Sequence, residues 1–169
     1  MTSSPPTFVE GNKTMAVNLT SPVTGSAQTG FTSPTYTLTA DTAPDINGKQ
    51  WAVTALGGTQ TNVLTHSATN PFTTSVFRPK AYKALGKPHP VTGLIASVPN
   101  NTHKVITRKG VLPQSGQPYR NFVISTIMDV PAGADTNDAP NLRAGLSMHI
   151  GALSQQSAGI GDTVTSGVL

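Results

Sequence analysis

The feature that most constrains this chain is one strongly apolar helix signal near the end of a long, polar, strand-like sequence. Pro140 lies just inside the predicted start of the helix, and Asp138 occupies the N-cap position. A helix with so wide an apolar arc needs more than one neighbouring surface, and it cannot cover a broad sheet alone. The sequence therefore predicts that a second copy of the chain completes the packing. The residues assigned to this dimer interface are Leu142, Leu146, Met148, Ile150 and Leu153.

The end of the chain extends the helical region, which is predicted to span 138–169. Gly159 and Gly161 are expected to end the main helix, because glycine is a poor helix former. Asp162 is expected to cap a short final helix. The apolar residues of that final helix, which are predicted to be buried, are Val164, Val168 and Leu169.

Upstream of the helix, the chain is typical of short strands between Gly, Asn and Pro turn signals. Its Thr-rich alternation favours a sheet with one solvated face, and Trp51 is expected in the core. Residues 1–13 are predicted to be a flexible arm, and 80–101 a long loop rich in Gly and Pro. The whole of 1–169 is expected to form one domain, with strands between 14 and 130. The individual strands are predicted at 14–20, 34–40, 49–56, 60–66, 72–79, 102–110 and 118–129.

Composition narrows the functional classes. Charged residues make up only 11% of the chain, against about 25% in an ordinary soluble domain. Such a surface is either largely covered by other subunits or belongs to a secreted β protein. The net charge of +4 is small for one chain, but over many copies facing one enclosed volume it would attract polyanions. The alternative interpretation, which charge alone favours, is a mildly basic surface without functional meaning. The chain has no cysteine, which excludes disulfides. Neither a membrane span nor a signal peptide is recognisable in the sequence.

Short motifs near the C-terminus carry a family pattern: Pro131-Ala132-Gly133-Ala134-Asp135, Leu142-Arg143-Ala144-Gly145-Leu146-Ser147, and Gly161-Asp162-Thr163 ahead of Gly167-Val168-Leu169. With the order of predicted elements, they make the chain resemble the coat proteins of single-stranded RNA bacteriophages (leviviruses), of the divergent environmental type. The resemblance is clearest over 100–169.

The resemblance implies an α+β, mainly β fold with an N-terminal β-hairpin, a five-stranded antiparallel sheet and C-terminal helices. Two chains would interlock their helices over a joint ten-stranded sheet, with the helices outside and the open sheet face inside. Dimers would assemble in the host bacterial cytoplasm into a small icosahedral virion around genomic RNA. The inner face would also bind an RNA hairpin, as a translational repressor and packaging signal. The loop near 110–118 would shape contacts around symmetry axes. No enzymatic activity, cofactor, metal, membrane or small-molecule substrate is implied.

Cationic and stacking side chains near the last two predicted strands are the candidate RNA contacts. Lysine and arginine bind phosphates, while tyrosine and asparagine stack on or hydrogen-bond unpaired bases. The candidates are Lys104, Arg108, Lys109, Tyr119 and Asn121. Strand alternation separates Lys109 from Lys104 and Arg108, and the sequence leaves open which of the two faces is inward. The alternative interpretation is that all five are ordinary solvated positions.

The strand at 118–129 has two distinct faces. The more apolar one, expected to pack against helices, carries Arg120, Phe122, Ile124, Thr126 and Met128. The other, a candidate for the open surface, carries Tyr119, Asn121, Val123, Ser125 and Ile127.

Other polar groups favour structural roles. Asp135, Asn137 and Asp138 offer oxygen ligands for calcium between subunits, but a capped turn is the favoured interpretation. His149 lies on the apolar helix stripe without a second ligand at helical spacing, so a buried, hydrogen-bonded histidine is expected. No catalytic constellation is recognisable, which disfavours a small hydrolase. The main rival hypothesis is a secreted or surface β-sandwich used in binding or adhesion.

Overall fold

The computed structural model describes residues 16–169, so the predicted arm 1–13 and the first two residues of the predicted strand 14–20 lie outside it. Within 16–169, six strands form one antiparallel sheet in chain order, and the helices follow. This confirms the α+β, mainly β class, and a single sheet excludes the rival β-sandwich. The strands are β1 (Val23–Thr24), β2 (Thr32–Asp41), β3 (Gly48–Thr59), β4 (Phe72–Phe77), β5 (Asn100–Val111) and β6 (Arg120–Pro131).

Each strand pairs with the next, so the sheet is a meander and β6 lies at its edge. The short β1 pairs with β2 to form an N-terminal hairpin. This hairpin is part of the same sheet as the other strands. The longest continuous register joins β5 to β6, from Asn100 opposite Pro131 to Val111 opposite Arg120. The connection from β4 to β5, residues 78–99, contains neither helix nor strand.

Two predicted strands are wrong. Residues 60–66 turn away from the sheet, because Asn62 adopts a left-handed conformation with φ of 65° and Val63 N–H donates to the Gln60 carbonyl at 3.3 Å. The described part of 14–20 is not a strand either. It is held by a side chain instead of a backbone ladder, since Lys49 Nζ donates to the Val17 carbonyl at 3.0 Å.

The helices are α1 (Ala134–Asn137), α2 (Ala139–Gln155) and α3 (Ser157–Ser166). The predicted stops at Gly159 and Gly161 are wrong, because both residues lie within α3. The helix ends at Gly167, whose φ of 74° suits the left-handed position after a C-terminus. Asp162 is likewise inside α3 and does not cap it. Asp138 is the N-cap of α2 by position, but its carboxylate accepts from Asn141 Nδ2 and not from the helix backbone.

A contact from the N-terminal part explains why α3 continues through its glycines. Gln28 Nε2 donates to the Ser157 carbonyl at 2.8 Å and to Ser157 Oγ at 2.7 Å. A Cβ atom at Gly161 would meet the Gln28 amide oxygen, so glycine is needed for this close approach. Thr29 Oγ1 also donates to Asp162 Oδ2 at 2.9 Å. Tertiary hydrogen bonds therefore override the low helix propensity of glycine.

The sheet register defines two faces. The helix-side face carries the alternate residues Phe72 and Thr74 of β4, Thr107 and Lys109 of β5, and Phe122, Ile124, Thr126 and Met128 of β6. The open face carries Gln50 of β3, Ser75 of β4, Lys104, Ile106 and Arg108 of β5, and Asn121, Val123 and Ser125 of β6. The predicted division of 118–129 into two faces is confirmed.

The core of the single chain is small. Its buried apolar residues among 16–169 are Trp51, Ala52, Val53 and Ala132, and Trp51 is 6% exposed as expected for a core residue. Helix α2 buries none of its residues. No helix in the described part is long and apolar enough to cross a membrane.

Candidate nucleic-acid and subunit interfaces

The open face brings most of the predicted RNA contacts together. Lys104 and Arg108 lie four residues apart on the same side of β5, and Asn121 stands on that side of β6, opposite Gly110. Lys104 and Asn121 are exposed, and Arg108 is half-buried. Tyr119 is half-buried and directly precedes β6. Lys104, Arg108 and Asn121 therefore place two cations and an amide on one surface, with the Tyr119 ring next to its end in the sequence.

A chain of hydrogen bonds holds Arg108 across four strands. Gln50 Nε2 donates to Asp41 Oδ2 at 2.7 Å, and Ser75 Oγ donates to Gln50 Oε1 at 2.8 Å. Arg108 Nη1 then donates to Ser75 Oγ at 3.5 Å. Ser75 is fully buried beneath these side chains, at 0% exposure. A guanidinium has five N–H donors, so this bond orients Arg108 and leaves others for an anion.

The carboxylate at the far end of this chain stays ionised. Hydrogen bonds from the Gln50 side chain and then from the Thr42 backbone hold the pKa of Asp41 below its ordinary value. An ionised Asp41 is an acceptor for Gln50, which fixes the orientation of the Gln50 amide. The carboxylate of Asp41 on β2 is thus linked to Arg108 through Gln50 and Ser75, and the last contact of this chain is long at 3.5 Å.

Lys109 does not join the other candidates, because it points to the helix-side face. Its Nζ donates to Asn70 Oδ1 at 2.9 Å and lies 5.1 Å from the centroid of the Phe72 ring. Partial burial lowers the pKa of Lys109. The cation is engaged by Asn70 and an aromatic face, so the geometry gives it a packing role rather than a place in the open-face cluster.

Sequence reasoning missed a basic groove on the open face. It has a volume of about 280 Å³ and lies where β4 ends beside β5. Its lining includes the cations Arg78, Lys80, Lys104 and Arg108 and the carboxylate of Asp45. Lys80 Nζ lies 3.2 Å from Asp45 Oδ2. The available signal was the pair of cations at the end of the predicted strand 72–79 and just after it, Arg78 and Lys80.

The helix-side face contains an open apolar groove with a volume of about 570 Å³. Aromatic and aliphatic side chains from β2 to β6 line it, among them Tyr36, Leu38, Val53, Phe72, Phe122 and Ile124. Nothing in residues 16–169 fills this groove. A folded chain rarely leaves such a surface to water unless a partner covers it.

The predicted interface helix is equally uncovered. Met148 is 73% exposed and Ile150 is 57% exposed, while Leu146 and Leu153 are also exposed. Leu142 is half-buried, in a cleft that α2 forms with Thr126 and Met128 of β6. His149 lines the same cleft and is exposed, so the prediction of a buried, hydrogen-bonded histidine is wrong for the single chain. The apolar residues of α2 have too little of their own sheet to pack against.

Within residues 16–169, the edge strand β6 has a neighbouring strand on only one side of its backbone. It is 12 residues long, and it exposes apolar side chains on both faces, including Val123, Ile124 and Ile127. A long, exposed, apolar edge is a template for pairing with another strand.

The candidate calcium residues are engaged locally. Asn137 Nδ2 donates to the Gly133 carbonyl at 2.8 Å, and the Asp138 carboxylate accepts from Asn141. Asp135 lies in the first turn of α1. Over the described range 16–169, no three His, Cys, Asp or Glu side chains are grouped in a way that would hold a metal ion.

The chain is similar to the protein in the virus-like particle of bacteriophage ESE020, with 56% sequence identity and a TM-score of 0.89. The match covers 91% of this chain and 100% of that one. A second similar structure is the virus-like particle of Beihai levi-like virus 32, at 17% identity and a TM-score of 0.47, covering 79% of this chain and 88% of that one. No protein-family model and no curated protein matches the sequence.

Proposed function

Because this chain belongs to the coat proteins of levivirus-type bacteriophages, we propose that it builds its shell from interlocked homodimers and binds RNA on the open face of the sheet. The family makes it a capsid protein, a structural component of the virion that self-assembles into a particle and is not an enzyme.

The dimer is supported by one observation above all: α2 has no buried residue, while an apolar groove of about 570 Å³ stands open on the same chain. A partner helix lying over the helix-side face would fill the groove and bury its own apolar residues at the same time. Full burial of one Leu, Ile or Met side chain contributes about 1.5–3 kcal/mol relative to exposure. Burial of Leu142, Leu146, Met148, Ile150 and Leu153 therefore drives association.

The edges of the two sheets complete this dimer. Pairing of β6 with the β6 of a second copy extends the sheet and gives the exposed side chains of Val123 and Ile127 cross-strand neighbours. The five long strands β2–β6 of each chain then form the joint ten-stranded sheet implied by the family. In this arrangement the helices lie on one side of the shell and the open faces line the other.

RNA binding is supported by the chemistry of the open face. Lys104 and Arg108 supply phosphate contacts there, and Asn121 and Tyr119 supply hydrogen bonding and stacking for unpaired bases. With a net charge of +4 per chain, many copies around one interior attract genomic RNA. Recognition of a hairpin by this face gives translational repression and selective packaging, and assembly takes place in the host bacterial cytoplasm.

The test uses the protein expressed alone in bacteria. Negative-stain electron microscopy is combined with the ratio of absorbance at the nucleic-acid and protein wavelengths on the same fraction. We expect closed shells with a strong nucleic-acid signal. The Lys104→Ala/Arg108→Ala variant should form shells with several-fold less RNA, because two phosphate contacts per chain are lost.

The matched control is Lys83→Ala/Lys87→Ala, which removes the same charge from a part of the connection that does not line the basic groove. Unchanged RNA content in the Lys104→Ala/Arg108→Ala shells would refute the RNA role of this face. Particles that lack RNA in the parent protein would do the same. A small species free of nucleic acid would contradict assembly itself.

A further inference from the structure

We propose that Arg78 and Lys80, at the start of the connection between β4 and β5, join Lys104 and Arg108 to form a groove that binds the phosphate backbone of RNA. This inference rests on the proposed RNA role of the open face. It adds a backbone site at one end of that face, separate from the base-contacting residues Tyr119 and Asn121.

The four cations converge because the chain leaves β4 on the open side. Phe77 ends β4 opposite Lys104 of β5, and the next residues begin the connection. Arg78 N–H donates to the Asn47 carbonyl at 3.1 Å, which ties the start of the connection to the turn before β3. Arg78 and Lys80 therefore face Lys104 and Arg108 across one groove of about 280 Å³.

The connection is tied down a second time just beyond the groove. Lys83 N–H donates to Asn101 Oδ1 at 2.8 Å, and Asn101 Nδ2 donates to the Lys83 carbonyl at 3.1 Å. Asn101 is only 8% exposed, so its amide is held by the sheet. Two anchors, at Asn47 and at Asn101, hold residues 78–83 in place. Fewer conformations of Arg78 and Lys80 are then lost when an anion binds.

The charge balance of the groove favours an anion. The connection 78–99 carries Arg78, Lys80, Lys83 and Lys87 and no Asp or Glu. The groove itself has four cations and one carboxylate, Asp45. Hydrogen bonding from the Asn47 backbone and then from Lys80 holds the pKa of Asp45 below its ordinary value, so the carboxylate is ionised at neutral pH.

Asp45 occupies the groove as an anion that phosphate can replace. The Lys80 side chain is 80% exposed, and an ion pair in such a setting is weak because water and salt screen it. A phosphate contacting Lys80 together with Arg78, Lys104 and Arg108 gains several charge-assisted contacts for the one it displaces. The Asp45 pair thus holds Lys80 near the groove while RNA is absent.

The groove fits a strand that continues along the open face. Residues on a β-strand rise about 3.3 Å each, so Lys104 lies roughly 20 Å from Gly110. Asn121 stands opposite Gly110. A segment of single-stranded RNA several nucleotides long can therefore place its backbone in the groove and present a base to Asn121.

The experiment compares three variants expressed alone in bacteria: Arg78→Ala/Lys80→Ala, Lys104→Ala/Arg108→Ala and the control Lys83→Ala/Lys87→Ala. Each removes two positive charges, so bulk electrostatics changes equally in all three. The control keeps the backbone of Lys83, and with it the anchor to Asn101. The ratio of phosphorus to protein in purified particles gives the nucleotides packaged per chain. We expect the first two variants to package several-fold less RNA than the control.

A second measurement covers variants that do not assemble. Binding of a labelled 20-nucleotide oligouridine to the unassembled full-length chain is followed at several salt concentrations. Loss of two phosphate contacts should lower the slope of log K against log salt by about 1.4, since each contact contributes about 0.7 for single strands. The control should keep the parent slope. This probe has no hairpin, so it reports backbone contacts only.

The outcomes separate the groove from the open face as a whole. If only Lys104→Ala/Arg108→Ala loses RNA, the proposed groove site is wrong, but the proposed RNA role of the open face is retained. If only Arg78→Ala/Lys80→Ala loses RNA, the connection between β4 and β5 binds RNA without help from β5. The proposal of a shared groove is then also wrong. Equal losses in all three variants would mean that total charge sets packaging, and no loss in any would overturn both proposals.

Discussion

The two faces of the sheet differ in how far their side chains find partners within the single chain. On the open face, polar residues of neighbouring strands bond to one another, so that Ser75 is fully buried between Gln50 and Arg108. On the helix-side face, an apolar groove stays open, and α2 forms a cleft with Thr126 and Met128 of β6 but buries none of its own residues. Polar groups of the open face therefore have partners within the single chain, whereas the helix-side face keeps an apolar groove that residues 16–169 leave uncovered. Mutations on the two faces should therefore separate RNA content from particle formation.

The largest effect is expected from a charge on the uncovered side of α2. Ile150→Asp should abolish particles, because pairing with a second copy would bury an unpaired carboxylate at a cost of several kcal/mol. Ile150 is 57% exposed in the single chain, so the chain itself tolerates the change. Size-exclusion chromatography and electron microscopy measure the loss.

Ser147→Asp provides the matched control for this variant. It adds the same charge on the same helix, at an exposed serine close to Ile150, and it should assemble normally. Particles of Ile150→Asp in parental yield would show that α2 does not enter a subunit interface. Failure of both variants would point to a general intolerance of charge in the helix.

A smaller effect, on stability, is expected where α3 contacts Gln28. Gly161→Ala should lower stability by about 1–3 kcal/mol, because the added Cβ would displace the Gln28 amide that bonds to Ser157. Thermal unfolding, followed by circular dichroism, measures the change.

Gly159→Ala is the control in the same helix, where the added Cβ would meet only Gln156 Oε1 at 3.3 Å. The Gln156 side chain is exposed and can move aside. Alanine at this position should be neutral or raise the unfolding temperature through its better helix propensity. Equal effects of the two alanines would exclude the Gln28 contact as the reason that α3 continues.

The sequence predicted those parts of the molecule that depend on local periodicity. Alternation along 118–129 separated Phe122 and Ile124 from Asn121 correctly, because strand geometry has a period of two. The apolar stripe of α2 was predicted in the same way, from the helical period of 3.6 residues. The continuation of α3 through Gly161 was not, since it depends on Gln28, far away in the chain. The groove around Lys80 was missed because its carboxylate, Asp45, is 35 residues earlier.

The smallest effect is a pH dependence confined to the open face. The pKa of Asp41 is held below its ordinary value of 3.8, first by the Gln50 side chain and then by the Thr42 backbone. A carboxyl with a depressed pKa contributes stability above the pKa of the unfolded chain, and this contribution is lost as pH falls through the folded value. Asp41→Asn lacks the titrating group, so the difference in unfolding temperature between parent and variant should shrink as pH falls from 5 to below 3.8. Because Asp41 is exposed, the difference should be a few degrees at most.

If the difference persists at low pH, the amide of Asp41→Asn disturbs Gln50 by its shape alone. If the difference disappears and the variant also retains less RNA, the orientation of Arg108 depends on the charge of Asp41 on β2.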